Sequence, residues 1–416
     1  MSSHSTPASA TVLERLNPPG RIVGLDVARG LALFAMMVTH IFALSDGAGD
    51  PTWAAVFSGK ASALFAVLAG CSLVLSTRSR LDRPGARLRD VASSVLIRAA
   101  AITVIGLCLG TVSTYLAVIL VNYGIMFALA LLFLRLRART LFVVALAWMV
   151  ISPVVSMFLR RELGLSPSYL PMSWFDLASP LTMLTDLTLT GYYPILQWMS
   201  YILLGMACAK LGIRRHIVAL FAAGVAMALI GKGASWALLT LAGGGAVLAD
   251  QAELSGTDLT AALFTGSFGV TETTTWWWLA ISGPHSGTPF DLLLTGGTSV
   301  AAIALCQALV VLLGRFAWAL APLSAPGSMP LSVYSAHVVL LQITHPVVRD
   351  SPVFGEPTEF GVHAAGFAVL AVGWKLTVGA HGPLEAGVAA IIRSAAPVPE
   401  VTQDAAEAGE GPEPGR

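Results

Sequence analysis

Apolar runs of spanning length recur along the chain, at about 22–44, 53–77, 90–110, 112–134, 140–159, 192–211, 216–244, 291–314, 328–348 and 360–379, with short polar stretches between them. A helix needs ~20 such residues to cross a bilayer. The pattern predicts an all-α polytopic membrane protein with about ten transmembrane helices, within a range of roughly nine to twelve. The 112–134 run lies tight against its predecessor, and 259–282 has room for a re-entrant segment. Residues 1–20 are rich in Ser, Thr, Pro and Ala and read as a disordered leader; 394–416, rich in Ala, Pro, Glu and Gly, read as a disordered tail. The expected transmembrane domain is 21–393. No secretory signal is evident, and the first apolar run is too long for one, so it should remain as an anchor. No internal repeat is visible, which withholds direct support from an inverted-repeat transporter.

Composition agrees with this reading. Of 416 residues, 56% are hydrophobic and 11% charged, and the mean hydropathy is +0.76. A soluble fold could not hide that much apolar surface. The charges alternate between loops. Arg78, Arg80, Arg83, Arg87 and Arg89 fill one loop, Arg135, Arg137 and Arg139 another, Lys210, Arg214 and Arg215 a third, and Arg315 a fourth. The intervening loops carry Asp46, Asp50, Asp176, Asp186, Asp250, Glu253, Asp258 and Glu272. By the positive-inside rule the N-terminus and the Arg-rich loops are cytoplasmic, although Arg160 and Arg161 go against the trend. The net charge of +1, with no basic cluster interleaved with aromatics, gives no basis for nucleic-acid binding. Cys71, Cys108, Cys208 and Cys306 each stand alone in apolar runs and read as small buried hydrophobes.

The first apolar run carries Asp26, Arg29 and His40. Each such group near a bilayer centre costs roughly 2.5–3.5 kcal/mol on insertion scales, so a pocket is expected. Arg29 and His40 lie about three helical turns apart, ~16 Å of rise, and share one face with Asp26. Arg29 keeps its charge and needs an anion, either Asp26 one turn away or an incoming phosphate. His40 can accept a proton near neutrality, which suits activation of a hydroxyl or amine. Lys60 enters the second helix at a depth similar to His40, either snorkelling outward or contributing to an acceptor site. Arg98 lies inside an apolar stretch, and Arg78 and Arg80 in the basic loop before it, where a phosphate-bearing donor could be held. His285 precedes a helix in the long outer loop, and His337 lies within a span where it could line the same cavity. Trp276, Trp277 and Trp278 mark either the membrane interface belt or a sugar-stacking platform.

No Walker loop, GxSxG, HExxH or paired cysteines appear, so nucleotide hydrolysis, serine-hydrolase chemistry and a metal site have no footing. Four segments carry a family pattern. Arg-Ile-Val-Gly-Leu-Asp-Val-Ala-Arg-Gly-Leu-Ala-Leu (21–33) resembles the opening of YeiB-like and heparan-α-glucosaminide N-acetyltransferase-like membrane proteins. Gly59-Lys-Ala-Ser-Ala-Leu-Phe-Ala-Val-Leu-Ala-Gly70, Gly191-Tyr-Tyr-Pro-Ile-Leu-Gln-Trp198 and Gly382-Pro-Leu-Glu385 resemble later YeiB-like segments in the same order. Arg29 and His40 also match the Arg, ten residues, His spacing of the related acyltransferase-3 proteins. The resemblance implies a multi-pass cell-membrane acyltransferase. It would move an acyl group, with acetyl expected, from cytoplasmic acyl-CoA to a hydroxyl or amine of an envelope glycan or glycolipid. His40, Arg29 and Asp26 are then the expected catalytic group. Arg29, Arg78, Arg80 and Arg98 would meet the donor, and Lys60, Asp50, His285 and His337 would shape the acceptor side. The heparan-type enzymes place a His in the outer loop shortly before a Trp; here that stretch is Asp50-Pro-Thr-Trp53, with no His. Two other readings stay open: a transporter or flippase for a glycolipid or small anion, and a non-catalytic partner in an envelope-synthesis complex. Acyl-CoA binding separates the first reading from both.

Overall fold

The computed structural model describes residues 12–395 except 19, 114, 115, 170, 350 and 352. The expected leader therefore falls largely outside the described residues, as does the tail from 396 onward. Within the leader, Val12–Leu16 forms a short helix, α1. The helices that follow are α2 (Val23–Ile41), α3 (Lys60–Leu81), α4 (Arg89–Val112), α5 (Leu120–Ala130), α6 (Ala138–Glu162), α7 (Pro180–Thr185) and α8 (Ile195–Leu211). Then come α9 (Ile217–Thr240), α10 (Gly244–Ser255), α11 (Pro289–Leu313), α12 (Ala321–Ser328), α13 (Pro330–Arg349), α14 (Glu356–Thr377) and α15 (Pro383–Ala395). Among the described residues no strand forms, and a lone bridge joins Ser45 to Pro51. In hydrocarbon every backbone polar group must be satisfied within its own segment, and apolar runs of this length do so as helices.

Each of the ten apolar runs contains a helix among the described residues. Eight helical segments are long and apolar enough to span on their own, and a ninth arises if the bent segments 180–190 and 195–211 count as one. The tenth run is shorter, Leu120–Phe133, an α-helix finished by a 3₁₀ turn. The bend between 180–190 and 195–211 is 55°. Pro194 lacks an amide hydrogen and stands just before α8, so the ladder cannot run through it. The broken stretch turns Tyr192 and Tyr193 toward the interior, where Asn122 donates to the Tyr193 carbonyl at 2.8 Å.

Helix α8 is the axis of the bundle and is buried on nearly every side, whereas α9 and α14 expose most of their surface. Close crossings rely on glycine from both partners. A Cβ on Gly70 of α3 would meet the Ile202 carbonyl of α8, and one on Gly205 would meet the Val67 carbonyl. Gly30 of α2 and Gly327 of α12 face each other's backbone in the same way, as do Gly224 of α9 and Gly297 of α11. In lipid there is no hydrophobic force between helices, so such close backbone packing supplies much of the attraction.

The basic loops gather at one end of the bundle. Lys210 donates to the carbonyls of Leu134 and Leu136 at 2.6 and 2.8 Å, and Arg135 donates to the Ala86 carbonyl. Arg160, which goes against the charge trend, is buried at the other end and donates to Thr271 O at 2.6 Å. It pins the long loop after α10 rather than facing solvent. Trp278 is buried at 1% exposure while Trp276 stays exposed at 45%. The three tryptophans therefore split between a core anchor and a surface. Cys71, Cys208 and Cys306 are buried as expected, but Cys108 is exposed on the outside of α4, where its sulfur accepts from Trp174 Nε1 at 3.4 Å.

Candidate active site

Two cavities enter the bundle from opposite ends. The first, about 640 Å³, opens at the Arg-rich end beside the start of α2. Its walls are largely apolar, from Leu25, Phe65, Leu68, Phe127 and Tyr334. Its mouth is not. Arg21, Arg29 and Arg98 line it, against the carboxylates of Asp26 and Glu385. Both carboxylates are already engaged. Asp26 is 2% exposed; it accepts from Arg29 Nη1 at 2.7 Å, and from Arg21 through Nε and through Nη2, the latter at 3.1 Å. Glu385 accepts from Leu331 N at 2.7 Å, from Ser332 N at 3.2 Å and from the Ser332 hydroxyl. It thereby caps the first turn of α13, where the leading amide hydrogens lack intrahelical partners. The second Arg29 nitrogen donates to Ser72 Oγ at 2.8 Å. Among the described residues Arg98 has no carboxylate partner. The cavity thus presents unneutralised guanidinium charge at its mouth and an apolar throat beyond it.

The second cavity, about 270 Å³, opens at the other end and is lined by His40, Thr39, Ser58, Ser62, His285 and a cluster of aromatic rings. The aromatics are Phe57, Tyr169, Tyr192, Tyr193 and Phe268. The loop after α10 supplies the far wall: Ser58 Oγ donates to Thr265 O at 2.8 Å, Ser267 N to Pro284 O at 2.8 Å, and Gly269 N to His285 O at 2.9 Å. His285 is held at φ 54°, a left-handed conformation unusual for a residue with a side chain. Its ring stacks on Trp198 at 6.1 Å and 17° and tilts against Tyr192 at 4.7 Å. Burial, with the nearby His40 second, pushes His285 down to about 3, so the ring is neutral. Among the described residues its Nδ1 finds no hydrogen-bond partner.

The cavities approach each other across one layer of side chains. Phe65 of α3 lines the first, and Ser62, three residues earlier, lines the second. That offset is ~4.5 Å along a helix axis. Leu120 and Ala117 make the same division on the other wall.

His40 belongs to a chain of hydrogen bonds. Its Nδ1 lies 3.0 Å from His337 Nε2, and His337 Nδ1 lies 2.7 Å from His363 Nδ1. His363 Nε2 meets Thr344 Oγ1 at 3.0 Å, Thr344 donates to Glu359 Oε1 at 2.6 Å, and His345 Nδ1 faces Glu359 Oε2 at 3.3 Å. His337, His363 and Glu359 are buried. Sequence reasoning singled out His40 and His337 but missed His363, Glu359 and Thr344. A signal was present: Glu359 and His363 are four apart on α14, and His337 and Thr344 seven apart on α13, so each pair shares a helix face.

The structure brings Arg29, Asp26 and Arg98 to the first cavity, His40 and His285 to the second, and His337 to the ring nitrogen of His40. The other expected site residues stand elsewhere. Arg78 is exposed and pairs with Asp82 at 3.0 Å. Arg80 donates to Ser94 Oγ at 3.1 Å on α4 and does not line the cavity. Asp50 is exposed in a tight loop, its amide bonded to Asp46 Oδ1 at 3.0 Å. Lys60 donates to Val56 O at 2.8 Å, and its neighbours Gly59 and Ala61 line the cavity instead. Among the described residues no cluster of His, Cys, Asp or Glu is arranged to hold a metal ion.

No curated protein matches the chain. A protein family does: heparan-alpha-glucosaminide N-acetyltransferase, catalytic, matches residues 21–243, just over half of the sequence. The match takes in Asp26, Arg29, Arg98 and His40 and ends before α11. A multi-helix membrane protein with a cation-lined cavity and an imidazole-lined cavity back to back, matching that family over this span, belongs to the heparan-α-glucosaminide N-acetyltransferase-like family of membrane acyltransferases.

Proposed function

We propose that the protein transfers an acyl group, acetyl first among candidates, from acyl-CoA in the Arg-lined cavity to a hydroxyl or amine held in the second cavity. The observation that carries this reading is the pair of half-depth cavities separated by less than one turn of α3. A donor with phosphates and a thin acyl arm fits the first: guanidinium groups at the mouth, apolar walls beyond. The aromatic rings around His40 and His285 suit the apolar faces of a sugar, so an envelope glycan or glycolipid is the proposed acceptor. By the positive-inside rule the Arg-rich end is cytoplasmic and the acceptor stands on the outer side of the cell membrane.

Asp26 fixes Arg29 and Arg21 as a rigid pair of donors, and Arg98 completes the anion site. His40 acts as the general base. As the acceptor heteroatom bonds to the thioester carbonyl carbon, its proton passes to His40; the carbon–sulfur bond breaks, and the sulfur takes that proton as it leaves.

The test uses purified full-length protein, titrated with acetyl-CoA and longer acyl-CoAs while melting is followed, and then supplied with amino and hydroxyl sugars. A ligand at a hundredfold excess over its dissociation constant stabilises the folded state by ~2.7 kcal/mol. Saturable stabilisation that is lost in Arg29→Ala, together with acyl transfer, is the expected result. No stabilisation by any acyl-CoA would overturn the proposal and leave transport of a glycolipid or small anion as the next reading.

A further inference from the structure

The hydrogen-bond chain from His40 ends on a carboxylate, and that end fixes the direction of every bond along it. A hydroxyl has one proton, and Thr344 donates its proton to Glu359 Oε1. Thr344 Oγ1 must then accept from His363 Nε2, which places the His363 proton on Nε2. A neutral imidazole carries one N–H and one lone pair. His363 Nδ1 is therefore the acceptor, and His337 Nδ1 donates to it at 2.7 Å. By the same step His337 Nε2 is an acceptor, and His40 Nδ1 donates to it at 3.0 Å. What remains is His40 Nε2, with its lone pair, on a residue that lines the second cavity.

We propose that Glu359, acting through Thr344, His363 and His337, is the positioning residue that holds His40 with its proton on Nδ1 and its lone pair on Nε2. The inference deepens the acyl-transfer reading and, as a statement about chemistry, rests on it. A histidine with the opposite tautomer would offer the cavity an N–H and could not remove a proton from an acceptor. The chain also acts during transfer. When His40 Nε2 holds the acceptor's proton, the ring is an imidazolium, and its Nδ1–H leans on a line of acceptors that ends at a carboxylate. The proton then leaves from Nε2 to the departing sulfur, and the chain returns to its starting bonds. No member of the line other than His40 gains or loses a proton over the cycle.

Three features support a built device rather than incidental core bonding. His337, His363 and Glu359 are buried, which restricts water from offering them alternative partners, and Thr344 between them is half-buried. The line joins the consecutive helices α13 and α14 to α2, 297 residues away in sequence at the His40–His337 link. The His40 and His337 rings lie nearly parallel, 9° apart, with centroids 5.3 Å apart. Apart from His40 the hydrogen-bond chain lies outside residues 21–243, the span of the family match.

The test reads the tautomer directly. Full-length protein labelled with ¹⁵N at histidine is reconstituted in lipid, and the His40 signals are identified by their loss in His40→Gln. The expected spectrum shows His40 protonated at Nδ1. Thr344→Val keeps the shape of the side chain and removes the link, so the His40 signal should move toward a mixture of tautomers. Thr344→Ser should restore it, and Glu359→Met should act like Thr344→Val. A wild-type His40 protonated at Nε2, or a tautomer unchanged in Thr344→Val, would overturn the proposal. With an acyl acceptor present, Thr344→Val should lower kcat at least tenfold with the KM for acyl-CoA unchanged; a changed KM at constant kcat would also overturn it. The spectrum needs no substrate, so the two readings fail separately. A wild type with the expected tautomer and no acyl transfer would support the positioning chain and sink the proposed reaction.

Discussion

The ring of Phe65 stacks on Tyr123 at 6.0 Å with 20° between the planes, and the Tyr123 hydroxyl reaches on to the Ser62 carbonyl at 3.4 Å. Phe65 and Tyr123 face the Arg-lined cavity and Ser62 the other, so this stack is a shared wall. On the proposed route its thickness would limit how large an acyl group can reach the acceptor. Phe65→Ala is expected to raise the relative kcat/KM for octanoyl-CoA over acetyl-CoA by at least tenfold, at a stability cost of ~3–5 kcal/mol. Competition between the two donors measures the first effect and melting in lipid the second. An unchanged donor ratio would show that the wall does not select.

His40→Gln should lower acyl transfer by ~10²–10⁴-fold, the usual worth of a general base. Donor binding should persist, since His40 lines the other cavity. Single-turnover transfer and acyl-CoA-induced stabilisation separate the two. Full transfer by a folded variant would remove His40 from the chemistry.

Arg29→Lys keeps the charge but loses the fork that reaches Asp26 and Ser72 together. A charge-assisted hydrogen bond is worth ~1.5–3 kcal/mol, so acyl-CoA affinity should fall by roughly ten- to a hundredfold. Arg78→Ala is the contrast. Its exposed pair with Asp82 lies away from the cavity, and exposed pairs contribute little. Titrating both variants with acyl-CoA gives the comparison; equal losses would mean that the anion site extends into the loop.

The neutral His285 ring makes the protein sensitive to acid. Its folded value, pushed down by burial to about 3, lies below the ordinary 6.5, so the unfolded chain binds the proton first. Stability from that ring is complete above about pH 6.5 and is lost as the pH falls toward 3. His285→Gln should therefore lose less stability than wild type between pH 6.5 and 4. Melting curves against pH for both proteins check this, and parallel curves would refute it.

Gly205→Val places a branched side chain where a single Cβ already meets the Val67 carbonyl of α3. The backbone must shift, and a destabilisation of ~1–3 kcal/mol or more is expected. Thermal unfolding in lipid measures it. Gly361→Ala is the control, because a Cβ there meets nothing.

The sequence already held the helices and half of the site. Ten apolar runs became ten helical elements because a bilayer permits few alternatives to a helix at that length. Asp26, Arg29 and His40 could be placed on one face because 3.6 residues per turn fixes their spacing. What stayed hidden was tertiary. Nothing in the sequence shows that α2, α13 and α14 bring His40, His337 and His363 to within hydrogen-bond distance. Asp50 and Lys60 looked equally well placed, but loop geometry decides them: Asp46 ties down one, and the Val56 carbonyl engages the other. Arg160 runs against the charge alternation of the sequence because its partner, the Thr271 carbonyl, is a tertiary contact.

The thin wall between the two cavities also has an electrical meaning. Water reaching it from both sides would confine the membrane voltage to the few ångströms of Phe65, Tyr123 and Ser62. A charged group carried through that gap would do ~2.3 kcal/mol of work per charge for each 100 mV. The acyl group moves one way and the acceptor's proton the other, an exchange with no net charge, and the phosphates of the carrier stay with the guanidinium groups on the near side. The transfer would then neither draw on the cell's voltage nor dissipate it, and its rate in vesicles should not change when a potential is imposed.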